Sequence, residues 1–103
     1  MTYELLKTIL DELGIVYSYY EFNEPVTAKR YIAYFENAKD RFVADDKVYH
    51  FEPRFTIELY TKHVEPQTEQ KLIDLFEKYE VVWSADSATY IDTEKVFLTV
   101  FYV

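Results

Sequence analysis

Chemistry in this 103-residue chain would have to start from two histidines, three serines and a scatter of loop carboxylates. His50 stands in Tyr49-His50-Phe51 and His63 in Lys62-His63-Val64. Neither belongs to a His-Glu-x-x-His pair, the spacing that sets two imidazoles on one helix face around zinc. There is no cysteine, which removes thiolate metal sites, disulfides and thiol nucleophiles together. Asp45-Asp46, Asp86 and Asp92-Thr93-Glu94 lack the ligand pattern and glycine of a calcium loop. Paired carboxylates for glycoside chemistry need a substrate cleft, which a chain this small provides poorly. Ser18, Ser84 and Ser87 lack the Gly-x-Ser-x-Gly turn that exposes a nucleophile. The one glycine, Gly14, excludes a glycine-rich phosphate loop. Lys29-Arg30 is a lone basic pair that strand-edge protection explains as well as a ligand does. The expectation is a chain with no catalytic, cofactor-binding or metal-ligating residues, and hence no enzyme.

Charge and length narrow the class further. The formal net charge is −8, with eleven basic and nineteen acidic residues. Such a balance argues against specific binding of a nucleic-acid backbone or an anionic membrane, both of which need clustered lysine and arginine. No apolar run approaches the roughly 20 residues of a membrane helix, and Met1 to Glu4 do not open a signal peptide. One α+β domain over residues 1–103 is expected, large enough to bury about two-thirds of its unfolded surface. Charge is unevenly placed. Val26 to Arg54 holds six basic and five acidic residues, so nearly all the negative excess lies elsewhere.

The elements follow from periodicity. Leu6, Ile9, Leu10 and Leu13 predict a first helix, capped by Thr2 and stopped at Gly14. Ile15 to Phe22 and Arg30 to Asn37 read as strands. From Lys47 to Thr61, apolar residues at odd positions (Tyr49, Phe51, Phe55, Ile57, Leu59) alternate with polar ones, predicting a third strand with one wet face. Pro53 falls inside it and demands a bulge, bend or edge. Glu65-Pro66 opens a second helix with Leu72, Ile73, Phe76 and Tyr79 on its stripe. Val81 to Ser84 and Thr89 to Asp92 read as short strands. Lys95 to Val103 is a last strand, apolar on both phases. The order is α-β-β-β-α-β-β with an antiparallel or mixed sheet. Fifteen extended residues reach about 50 Å, so the strand through Pro53 either bends or forms a long projecting hairpin with its predecessor.

Aromatic residues are the remaining signal. Eleven tyrosines, eight phenylalanines and one tryptophan exceed what one small core is expected to bury. Tyrosine suits protein interfaces because it offers a large area and a single polar tip. Two short helices cover one sheet face, so a last strand apolar on both sides calls for a second cover. The residues expected at a self-association surface are Tyr31, Phe35, Phe42, Tyr49, Phe51, Pro53 and Phe101. Two other readings stay open. One is a small monomeric or dimeric adaptor or regulatory domain; the other is a small enzyme using Asp or His in a pocket between subunits.

Several stretches together resemble a known family. They are Leu5-Leu6-Lys7-Thr8-Ile9-Leu10, Ala44 to His50, Phe55-Thr56-Ile57-Glu58-Leu59-Tyr60-Thr61, Glu69 to Leu72, and Thr93-Glu94-Lys95-Val96-Phe97. The sequence resembles the small tail-completion proteins (tail terminators or head–tail neck proteins) of long-tailed phages and prophages of Gram-positive bacteria. The resemblance spans nearly the whole chain, and its motifs are structural. It implies a non-enzymatic virion structural protein without cofactor. It also implies a homo-oligomeric ring, usually a hexamer, at the head–tail junction, with tail-tube and head-connector proteins as partners. The expected location is the virion, or the host cytoplasm during assembly.

Overall fold

The computed structural model describes residues 1–22, 26–37, 43–44, 47–48 and 53–103. Helix α1 spans Tyr3–Leu13. The Thr2 hydroxyl accepts the Leu5 N–H at 3.1 Å, and Gly14 ends the helix in the left-handed region at φ 77°. Strand β1 is Tyr17–Tyr19, shorter than the expected Ile15 to Phe22. Tyr20 takes φ 67° and the Glu21 N–H turns back to the Tyr19 carbonyl at 2.8 Å, which stops the strand. Strand β2 is Arg30–Glu36. Strands β3 (Val43–Ala44) and β4 (Lys47–Val48) pair antiparallel with each other, apart from the main sheet. Strand β5 is Phe55–Thr61, so the run expected from Lys47 to Thr61 is not one strand: Pro53 and Arg54 stand outside any ladder. The reach expected of the hairpin, and the positions of Phe42, Tyr49, His50 and Phe51, lie outside the described residues.

Helix α2 covers Pro66–Lys78, with Pro66 in its first turn. It ends without glycine. The Val81 N–H bonds the Phe76 carbonyl at 2.8 Å and the Glu80 N–H the Glu77 carbonyl at 3.1 Å, with Glu80 at φ 56°. These are the two bonds of a Schellman stop. Val81 therefore serves the end of the helix, packing on the core that includes Phe76, and the strand expected from Val81 begins only at β6, Ser84–Ala85. Strand β7 is Thr89–Ile91 and β8 is Val96–Tyr102, joined by a turn that puts Lys95 at φ 54°.

The main sheet has six strands in the order β1-β2-β5-β8-β6, with β7 also pairing β8. Only β1 and β2 run parallel; every other pair is antiparallel, so this is an α+β fold with a mixed sheet. β5 is central, with Tyr34↔Ile57 and Ile57↔Phe101 in register. Both helices pack on the face carrying Ile32, Tyr34, Phe55, Ile57, Leu59 and Phe101, and bury Leu6, Ile9, Leu10, Leu72 and Phe76 there. Glu12 on α1 accepts the Tyr79 hydroxyl and the Lys78 ammonium (3.2 Å), tying the ends of the helices. Glu69 on α2 accepts the Thr99 hydroxyl at 2.6 Å and anchors that helix to β8. None of the described helices is long and apolar enough to cross a membrane.

Candidate interaction surface

Strand alternation sends every second residue to the sheet face away from the helices. Cross-strand register lays nine of them out as a grid. Tyr31, Tyr60 and Leu98 form one row; Ala33, Glu58 and Val100 the next; Phe35, Thr56 and Tyr102 the third. No described helix packs on this face. Tyr31 stacks on Tyr60 with centroids 4.9 Å apart and planes 10° apart, and the Phe22 ring meets Tyr31 edge-on at 5.6 Å. Phe35 stacks on Tyr20 at 5.4 Å and 19°. Leu98 and Val100 are half-buried. The even positions of β5 are drier than the sequence predicts. Thr56 is buried, Glu58 and Tyr60 are half-buried, because β5 is flanked on both sides by residues that shade it.

Electrostatics on this face follow from that burial. Burial pushes the Tyr60 phenol up to about 12, and the Glu58 charge beside it acts the same way. Burial also raises the Glu58 carboxyl above its ordinary value, opposed by the hydrogen bond to Tyr60. At the sheet end beyond Tyr60, burial would raise Glu65, but hydrogen bonds from Arg30 (2.8 Å) and Thr68 (2.8 Å) outweigh it and hold the carboxyl low.

The four expected interface residues that are described, Tyr31, Phe35, Pro53 and Phe101, do not share one patch. Tyr31 and Phe35 lie half-buried on the outer grid. Pro53 lines a separate open concavity of about 810 Å³ beside Trp83, Val81 and Arg54. Phe101 is 1% exposed in the core under the helices, so it is a packing residue and not a surface one. It falls on the apolar phase that faces α2, touching Phe76 edge-on at 6.0 Å. Sequence reading missed Glu58, Tyr60 and Tyr20. Glu58 alternates with Ile57 and Leu59 on the phase expected to be wet, and Tyr20 falls within the strand expected from Ile15 to Phe22.

The residues weighed for chemistry stay apart. His63 is exposed in the β5–α2 loop, the Ser18 hydroxyl donates to the Glu21 carbonyl at 2.8 Å, and Asp86 accepts the Tyr102 hydroxyl at 2.8 Å. Among the described residues no three His, Asp or Glu side chains converge as a metal site. His50, Asp45 and Asp46 lie outside the described residues. No protein-family model and no curated protein matches this chain.

Proposed function

We propose that this chain is a non-enzymatic, self-associating structural protein of a long-tailed phage or prophage, acting at tail completion. In this reading copies form a ring, with hexamer the expected number, that joins the tail tube to the head connector during virion assembly in the host. The observation that carries it is the sheet face on which no described helix packs, which holds two stacked aromatic pairs. Clustered aromatic rings are the side chains that protein interfaces favour. Four of the five stretches that carry the family resemblance fall on α1, β5, α2 and the β7–β8 turn, elements that build the sheet and its helical cover, and Ala44 to His50 lies mostly outside the described residues. The deciding experiment images particles assembled without this protein. Tails of uncontrolled length, or tails detached from heads, are the expected result. Normal virions would overturn the proposal.

A further inference from the structure

Self-association alone does not account for a carboxylate at the centre of the outer face. Glu58 lies in the middle row of the grid between Ala33 and Val100, small neighbours flanked by the bulkier rows of Tyr31–Tyr60–Leu98 and Phe35–Thr56–Tyr102. By residue size this row lies lower than Tyr31–Tyr60 on one side and Phe35 and Tyr102 on the other, which makes it a shallow trough with an acid at its floor. The titratable groups facing Glu58 are phenols: Tyr60 on its own strand, Tyr31 on β2 and Tyr102 on β8. Glu58 has no cation partner among the described residues. A partly desolvated carboxylate held by one phenol is an incomplete ion pair. Its aromatic and aliphatic rim suits the alkyl stem and charged head of a lysine.

The same chain presents such a group. Lys62, His63 and Val64 form the exposed loop between β5 and α2, and the Lys62 N–H bonds the Lys29 carbonyl at 3.2 Å, bringing a second cation alongside. Arg30 next to them is already paired with Glu65 at 2.7 Å, whereas neither lysine has an ion pair among the described residues. Val64 is 54% exposed at the tip. A basic, apolar-tipped loop on a chain of net charge −8 is complementary to an acidic, apolar-rimmed trough. Lys62 does not serve its own Glu58, because a four-residue step of extended chain sets them about 13 Å apart, with Tyr60 between.

We infer that copies of this chain associate head-to-tail, the Lys62–Val64 loop of one copy seating in the trough of the next so that the Lys62 ammonium meets the Glu58 carboxylate. This rests on the self-association reading and gives it a polarity. A contact between two different patches closes into a ring or runs on as a filament, whereas a face pairing with itself stops at a dimer.

Sedimentation velocity on the full chain over a range of concentration and salt tests it. The wild-type chain should associate, and more weakly as salt rises. Lys62→Glu and Glu58→Lys should each weaken association by about tenfold or more. An equimolar mixture of the two variants should recover it, since each carries the surface the other has lost. Lys62 is on an exposed loop, so its variant folds normally; a thermal melt checks the strand variant. A wild-type chain that stays monomeric, single variants that associate normally, or a mixture that fails to recover would each overturn the inference. So would Glu58→Ala associating more tightly than wild type, which would mean the faces close by apolar contact alone. Particle imaging decides the tail-completion role independently of all of these.

Discussion

Glu80 shows how much one backbone angle settles in this fold. Among the described residues, two of the three non-glycine residues held at positive φ, Glu80 and Lys95, close a helix or a hairpin. An L-residue there is strained by about 1–2 kcal/mol relative to glycine, which has no Cβ to clash. Glu80→Gly should therefore stabilise the chain by about 0.5–1 kcal/mol after the greater freedom of the unfolded glycine is counted, read as a higher denaturant midpoint at unchanged slope. Gly14→Ala should do the reverse, losing about 1 kcal/mol from strain alone, because a Cβ at Gly14 meets nothing within 4 Å. Glu58 is the other informative residue. Its carboxyl is raised by burial in the folded chain, so its contribution to stability is fully present below the unfolded carboxylate range. That contribution is lost as pH rises through the raised folded value. In the dilute monomer, Glu58→Gln should thus raise stability at neutral pH and leave it unchanged well below pH 4, by thermal melts across that range. The same change should weaken association at neutral pH. Opposite signs for folding and assembly would separate a docking carboxylate from one tolerated for the fold.

Elements were legible in proportion to how locally they are determined. α1 carries its own cap, stripe and stop in Thr2, Leu6 to Leu13 and Gly14, and its bounds follow from those residues alone. α2 carries a start in Pro66 but no glycine stop. Its C-terminal bonds use Glu80, and the β-branched Val81 and Val82 imitate a strand start. β5 was legible as a strand but not as the centre of the sheet, since centrality depends on β2 and β8, which are distant in sequence. That gap explains both differences at the surface: the Glu58 side of β5, expected to be wet, is drier, and Phe101, expected at an interface, lies in the core. The packing consequence is specific. Leu72 and Phe76 are fully buried where α2 meets the sheet, so Leu72→Ala or Phe76→Ala should cost about 2–5 kcal/mol through the cavity left behind. Urea unfolding measures this. A loss below 1 kcal/mol at either site would mean α2 is not held by this seam.

At the scale of the whole molecule, the fold is a sheet covered by helices on one side. The aromatic excess that the sequence displays divides between the two sides. Tyr3, Tyr17, Tyr34, Phe55, Phe76 and Phe101 build or border the helical core, while Tyr20, Phe22, Tyr31, Phe35 and Tyr60 stack on the other face. A face of stacked rings around the Glu58 carboxylate gains stability when a second copy covers it, and in the proposed association that gain depends on concentration. Anything that binds the folded chain and not the unfolded one stabilises it by mass action, by about 2.7 kcal/mol at a hundred times the dissociation constant. For a domain of this size, each kcal/mol shifts the melting midpoint by about 4–8 °C. The wild-type midpoint should therefore climb by on the order of 10 °C as concentration passes from well below the dissociation constant to about a hundredfold above it. Lys62→Glu should melt at the wild-type dilute midpoint and stay flat over the same range, because its loop lies outside the core. Raising salt should flatten the wild-type curve towards that of the variant, as a contact steered by one ammonium and one carboxylate is screened. Identical midpoints for wild type at all concentrations would show that the outer face of the sheet does not close on a second copy.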